Sequence, residues 1–166
     1  MNTHCVYLGL GSNLGDSRLE IKTALIHLDS LPDTSIEAIS QLYQSKPWGK
    51  VTHQPDYLNA VAELKTSLEP LTLLQHIKHI EYQLMGRVET ERWHQRIIDI
   101  DILFYDDMQI DHATLKIPHP HALERCFVLQ PLLDLALKLK KDTVNNIKRH
   151  HQGLKCAEDL QCLGAL

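Results

Sequence analysis

The run Ile97-Ile98-Asp99-Ile100-Asp101-Ile102-Leu103 constrains the fold more than any other stretch of the chain. It is the most apolar segment, it reads as the strongest strand (residues 97–105), and it carries two carboxylates. In a strand, positions i and i+2 share a face about 6.5–7 Å apart. Asp99 and Asp101 therefore point the same way, while Ile98, Ile100, Ile102 and Phe104 take the opposite, core-facing side. Two ionised carboxylates held side by side repel, and a bound cation is the usual compensation. Hard oxygen donors suit Mg²⁺ rather than zinc. Two such ions, roughly 3.5–4 Å apart, could be bridged by acids from one strand. Taken alone, Asp-x-Asp is more often a solvent-facing acidic surface.

The preceding segment changes that balance. Gly86-Arg87-Val88-Glu89-Thr90-Glu91-Arg92-Trp93-His94-Gln95-Arg96 has no periodicity and reads as a loop that delivers three arginines just ahead of the acids. From Arg87 to Asp101 three positive charges face four negative ones. Two Mg²⁺ would turn that stretch into a receptor for a polyphosphate. The guanidinium fork matches phosphate oxygens, so an arginine loop beside metal carboxylates points to phosphoryl-transfer chemistry. The competing interpretation is an ion-paired surface loop.

The rest of the chain supplies a frame for such a site. Residues 4–10 read as a strand running into the turn Gly11-Ser12-Asn13-Leu14-Gly15. Asp16 or Ser17 can cap a helix with the stripe Ile21, Ala24, Leu25, Leu28 and Leu31. Residues 35–43 read as a strand, and 44–56 as an irregular stretch containing Pro47, Gly49 and Pro55. From Tyr57 the alternation is clean, with Leu58, Ala60, Ala62 and Leu64 on one face and Asn59, Val61, Glu63 and Lys65 on the other. Glu69-Pro70 opens a helix with Leu71, Leu74, Ile77, Ile80, Glu81 and Leu84 on one side, ending before Gly86. Asp106-Asp107 is a turn into a short hairpin ending near Ile117, and residues 131–139 and 143–150 are late helical pieces. The order β-α-β-β-α-β with appended C-terminal helices is that of an α+β ferredoxin-like sandwich, an antiparallel sheet with helices. With 166 residues and no linker, repeat or low-complexity tract, the expectation is one domain over 1–166.

Charge and composition narrow the partners. Seventeen Lys and Arg against 21 Asp and Glu give −4, which works against nucleic-acid or anionic-membrane binding. No stretch of eighteen apolar residues occurs, and the N-terminus lacks a signal-peptide pattern. The four cysteines, Cys5, Cys126, Cys156 and Cys162, form no CxxC pair or zinc-like spacing; they read as free thiols of a cytoplasmic protein. The eleven histidines are scattered, and His150-His151 read as solvated.

Smaller motifs are weaker one by one. Gly9-x-Gly11-Ser12-Asn13 has neither Rossmann nor P-loop spacing. Asn59, at a strand start in Gln54-Pro55-Asp56-Tyr57-Leu58-Asn59, offers a donor and an acceptor to a heterocycle edge, or serves as a structural turn amide. Pro118-His119-Pro120-His121 is rigid, and Arg125 and Phe127 follow it. Trp48 and Trp93 each stand in irregular segments.

Together these pieces resemble one family, the 6-hydroxymethyl-7,8-dihydropterin pyrophosphokinases of folate biosynthesis. The matching residues are Gly11-Ser12-Asn13-Leu14-Gly15, Pro47-Trp48-Gly49, Gln54 to Asn59, Gly86-Arg87, Glu91-Arg92-Trp93, Arg96-x-x-Asp99-x-Asp101-Ile102, Pro118-His119-Pro120 and Arg125-x-Phe127. The resemblance implies transfer of the terminal diphosphate of ATP to the pterin hydroxymethyl oxygen, releasing AMP, in a monomeric enzyme. It implies that Asp99 and Asp101 hold two Mg²⁺ ions and that Arg87 and Arg96 are catalytic phosphate binders. ATP contacts are implied for Glu81, Arg87, Trp93, Arg96, Ile102, His119 and Arg125. Pterin contacts are implied for Ser45, Trp48, Tyr57, Asn59, Trp93 and Phe127.

Two departures stand out. Many members carry arginine where this chain has Glu89, and Gly-Pro where it has His94-Gln95. Lys46 and Lys116 fall where the family varies, and Thr143 onward matches poorly and reads as a surface helix and tail. A metal-dependent phosphohydrolase would explain the acids and arginines but leave Asn59, Trp48 and Phe127 without a role. A non-enzymatic ferredoxin-like module, for RNA for instance, lacks the expected basic sheet with exposed aromatic pairs.

Overall fold

A computed structural model of the chain describes residues 2–47, 53–89 and 95–166. Strand β1 (His4–Ser12) runs through the middle of an antiparallel sheet, paired with β4 (Tyr57–Thr66) on one side and β5 (Asp99–Tyr105) on the other. Strands β2 (Thr34–Ile39) and β3 (Leu42–Ser45) share the far edge of β4. Strands β6 (Ile110–Asp111) and β7 (Lys116–Ile117) form a separate hairpin, and β8 (Leu160–Gly164) extends the main sheet beyond β3.

Both faces of the sheet are covered. Helix α1 (Ser17–Asp29), capped where Asp16 accepts from the Leu19 N–H at 3.2 Å, presents Ile21, Ala24, Leu25 and Leu28. Helix α2 (Pro70–His79) starts on proline, whose missing N–H costs nothing in a first turn. These helices cover Val6, Leu8, Leu10, Ala60, Ala62, Leu64, Ile98, Ile100 and Ile102. On the opposite face, α3 (Cys126–Leu133) and α4 (Lys141–Gly153) cover part of the sheet, packing Leu129, Leu132 and Ile147 against Tyr7, Val61 and Leu103. Glu63, on the same face of β4 as Val61, is buried there, accepting from the Tyr7 hydroxyl and the Lys138 ammonium.

The structure corrects the sequence reading in several places. The strand expected over 35–43 is broken at Ser40, whose hydroxyl accepts from the Val61 N–H at 2.8 Å and donates to the Gln41 carbonyl at 2.8 Å. A side chain takes over ladder bonds there, and the chain bends. Phe104 does not share a side with Ile102. A register shift of β5 against β1 at Tyr7/Leu8 puts Phe104 with Leu103 on the α3 side and returns Tyr105 to the α1/α2 core. In α2 the buried positions are Pro70, Leu73 and Ile77, whereas Leu71 is exposed, as is Leu84 in the turn that follows. The turn at Ile80–Leu84 is a π-helix, which the 3.6-residue period does not anticipate.

The C-terminal third differs most. Helix α3 begins at Cys126, and Pro131 lies inside it rather than at the start of a 131–139 helix. Residues 160–164, expected as tail, form β8. Cys126 and Cys156 are not free: they form a disulfide joining the start of α3 to the start of α5 (Cys156–Asp159), and only Cys5 and Cys162 are free thiols. Thirty positions separate the two cysteines, and only the placement of α4 and α5 beside α3 brings their Cα atoms to 5.1 Å. Among the described residues no helix is long and apolar enough to cross a membrane.

Candidate active site

The α3 side of the sheet is left uncovered over the ends of β1, β4 and β5, and a cavity of about 360 Å³ opens there. Its floor is cut low by glycine. A Cβ on Gly9 would meet the Leu103 side chain at 3.5 Å, and one on Gly11 would meet the Asn59 Oδ1 at 3.4 Å. Any larger residue at position 11 would stand against the Asn59 amide and fill the space above it.

One wall is carboxylate and arginine. Asp99 and Asp101, two apart on β5, both line the cavity. Asp99 accepts from Arg87 Nη1 at 2.9 Å through one oxygen and from Arg96 Nη1 at 3.3 Å through the other. Arg87 Nη1 also reaches Glu81 Oε2 at 2.5 Å, and its guanidinium lies 5.3 Å from the Tyr82 ring centroid. Glu81 is fully buried; it accepts from the Ile100 N–H at 3.0 Å and from Lys78 Nζ at 3.1 Å. A buried carboxylate thus anchors α2, β5 and Arg87 together, with its charge met by two cations. Burial, with Asp99 and Glu81 nearby, pushes Asp101 up to about 7. Asp99 and Asp101 crowd each other on β5, a local repulsion that a cation between them would relieve. Among the described residues no group of three or more His, Cys, Asp or Glu side chains could hold a metal. Two carboxylates are a fitting protein share for Mg²⁺, which commonly takes its other ligands from water and phosphate.

The other wall is an amide beside aromatic rings. Asn59, 4% exposed on β4, donates from Nδ2 to the Ser45 hydroxyl on β3 at 2.7 Å. Tyr57 and Phe127 also line the cavity, and the Arg125 guanidinium lies 5.5 Å from the Phe127 ring centroid. At the rim, His119 Nδ1 accepts from the His121 N–H at 3.1 Å, so the proton sits on Nε2. Burial and the Arg125 charge hold the His119 pKa below its ordinary value, which leaves a neutral N–H donor.

The family model for 7,8-dihydro-6-hydroxymethylpterin-pyrophosphokinase (HPPK) matches residues 7–137. The chain belongs to this family. It is 45% identical over 135 residues to a 2-amino-4-hydroxy-6-hydroxymethyldihydropteridine pyrophosphokinase of Pseudomonas aeruginosa, covering 81% of this chain and 82% of that one. It is 46% identical over 130 residues to the enzyme of the same name from Aquifex aeolicus, covering 78% and 79%. A crystal structure of Plasmodium falciparum HPPK-DHPS superposes with a TM-score of 0.70 over 97% of this chain at 18% identity, a likeness of fold. This chain spans about half of that solved one, 47% of its length. Pyrophosphokinase activity in folate biosynthesis is the activity of this chain.

Ten of the residues singled out from the sequence meet at this one cavity: Ser45, Tyr57, Asn59, Arg87, Arg96, Asp99, Asp101, His119, Arg125 and Phe127. Two do not reach its wall. Glu81 lies behind Arg87, and the Ile102 side chain is in the core on the α1/α2 side. Trp48 and Trp93 fall outside the described residues. Lys78 and His121, to which the sequence motifs assign no role, also line the cavity. Lys78 was visible only as the residue three before Glu81, and His121 as the second histidine of the Pro-His-Pro-His run.

Proposed function

We propose that the cavity binds ATP across the Asp99–Arg87–Arg96 wall and 6-hydroxymethyl-7,8-dihydropterin against the Asn59–Phe127 wall. There the hydroxymethyl oxygen attacks the β-phosphorus and AMP leaves. The observation that carries this reading is the placement of both walls on one cavity: a carboxylate–arginine cluster faces a buried amide flanked by aromatic rings. An anion site alone would serve a phosphohydrolase, but the amide wall gives a flat heterocycle a partner for its edge and faces for its rings.

Each side chain then has a task. Asn59, oriented by Ser45, pairs with the pterin edge, and Phe127 and Tyr57 bound its ring. Arg87 and Arg96, which share Asp99 here, are fork-shaped donors that turn to phosphate oxygens when nucleotide arrives. Glu81 keeps Arg87 at the wall during that exchange. Neutral His119 offers Nε2–H and Arg125 a full charge to the phosphate chain. Asp99 and Asp101 would hold Mg²⁺, two ions in our reading, which when bound neutralise phosphate charge and acidify the hydroxymethyl group. Orientation of the two substrates supplies the rest of the rate. Trp48 and Trp93 keep the roles that the resemblance implies, whereas Glu81 acts through Arg87 and Ile102 could meet nucleotide only through its backbone.

The strand order β5-β1-β4-β3, with β2 in line with β3 and every pair antiparallel, supports a ferredoxin-like sandwich over a single domain, 1–166. We assign a monomer; the cytoplasmic expectation, read from four free thiols, loses that support with the Cys126–Cys156 bond. An assay for AMP with ATP, Mg²⁺ and the reduced pterin tests the reaction. AMP formation that depends on the pterin is expected. Rapid phosphate release from ATP alone would favour the hydrolase instead.

A further inference from the structure

In the sequence motif Gly11-Ser12-Asn13-Leu14-Gly15 only Gly11 lines the cavity, yet the central residue is buried, with Asn13 2% exposed. Asn13 follows the end of β1 and spends its amide on two distant segments. Its Nδ2 donates to Gln54 Oε1 at 3.1 Å and to the Pro55 carbonyl at 3.1 Å. Its Oδ1 accepts from the Arg96 N–H at 2.8 Å, and its own N–H donates to the Arg96 carbonyl at 3.1 Å. Gln54 and Pro55 lead into β4, which carries Tyr57 and Asn59. Arg96 leads into β5, which carries Asp99 and Asp101, and its own side chain bonds Asp99.

We infer that Asn13 is a positioning residue that fixes the pterin-side wall of the cavity to its phosphate-side wall, so that each substrate binds to a geometry the other requires. The inference rests on the assignment of the two walls given above. Among the twenty side chains a carboxamide of this length alone offers two donors and an acceptor at these positions. Aspartate keeps the acceptor toward Arg96 but turns a second oxygen on the Gln54 and Pro55 oxygens. Alanine releases both sides. A buried amide with its donors and acceptor all engaged transmits displacement, since moving either partner leaves a polar group unpaired.

The test compares wild type, Asn13→Asp and Asn13→Ala for kcat, for KM of each substrate and for thermal midpoint. For Asn13→Asp the pterin KM should rise roughly five- to twentyfold, the loss expected for one or two hydrogen bonds, with the ATP KM within about twofold of wild type. For Asn13→Ala both KM values should rise and kcat should fall about tenfold. In the same three proteins the affinity for α,β-methylene-ATP, titrated with and without the pterin, should show a coupling ratio that falls toward one in the alanine variant. Gln54→Leu removes one pterin-side acceptor of Asn13 from a half-buried position and should raise the pterin KM alone, which keeps the test open if the position-13 variants do not fold. Equal rises in both KM values for Asn13→Asp, or wild-type constants in properly folded variants, would overturn the inference. So would activity losses that follow the unfolded fraction alone. A wild-type enzyme that makes no AMP would instead sink the assignment of the walls.

Discussion

Arg87 places Nη1 2.9 Å from Asp99 Oδ1, although twelve positions separate the two residues along the chain. The same nitrogen lies 2.5 Å from Glu81 Oε2, so one guanidinium closes a gap between two carboxylates on different elements. Arg87 is thus held at the wall from behind by a fully buried Glu81 and spends its forward bond on Asp99. A phosphate group can take that forward bond without dislodging the arginine.

Replacing Asp99 or Asp101 with asparagine is expected to cost at least a hundredfold in turnover while the fold persists. For Asp101 the pH dependence sharpens the test. Its folded pKa, raised to about 7, exceeds the usual carboxylate value of roughly 4. The folded state therefore holds a proton that the unfolded chain has released between those values. Its contribution to stability is complete below about pH 4 and is lost as pH rises to about 7. In metal-free buffer Asp101→Asn should melt roughly 2–6 °C higher than wild type at pH 8, with the difference vanishing near pH 4. Identical melting curves at pH 8 would contradict the carboxylate crowding described here.

Asn59→Ala should weaken pterin binding by about 1–3 kcal/mol and leave ATP affinity nearly unchanged. Its Nδ2 is tied to Ser45, so the amide is already aimed before substrate arrives. Titration calorimetry with each ligand separately measures the difference. Equal losses for both ligands would make Asn59 a strand-pairing residue and nothing more.

Glu89 stands exposed two residues beyond Arg87 and does not line the cavity. Glu89→Arg restores the residue common in the family and changes the local charge by two units. An exposed contact is worth about 0.2–1 kcal/mol, so ATP affinity should rise no more than several-fold at low ionic strength. The gain should fade as salt shortens the Debye length to ~8 Å. Unchanged or weaker ATP binding at low salt would place Glu89 away from the phosphates.

The Cys126–Cys156 bond closes a loop between positions 30 apart, with Arg125 and Phe127 on either side of its first cysteine. On the loop-entropy estimate it contributes roughly 3–4 kcal/mol. Reduction should lower the melting temperature by roughly 5–15 °C. Thiol counting in denaturant without reductant should find the two free cysteines, Cys5 and Cys162. Four reactive thiols in that assay would show that the bond does not form.

The site was more legible than the fold around it. Asp99 and Asp101 could be assigned to one face because a strand period of two depends on nothing distant. The α1 stripe was legible for the same reason: its buried Ile21, Ala24, Leu25 and Leu28 follow the helical period from a local cap. Phe104 was misplaced because one register shift reverses parity, and that shift depends on β1 as much as on β5. At the π turn Ile80–Leu84, Leu84 leaves the stripe, while Ile77, Ile80 and Glu81 stay buried as the helical period has them. Strand β8 and the disulfide were invisible because both depend on where the C-terminal segment lands against β3 and α3. Asn13 could be noticed only as part of a motif, since its partners lie 41, 42 and 83 positions away.

The central claim is that the diphosphate leaves ATP by attack at the β-phosphorus in this cavity, and an isotope label reads it directly. ATP carrying heavy oxygen in the bridge between its α- and β-phosphorus atoms is turned over with the reduced hydroxymethyl pterin and Mg²⁺, and the products are weighed by mass spectrometry. Attack at the β-phosphorus breaks its bond to the bridging oxygen, so the label should leave in AMP and the pterin should gain an unlabelled diphosphate. Label in released pyrophosphate together with an adenylylated pterin, or ADP and phosphate as the products, would contradict the account.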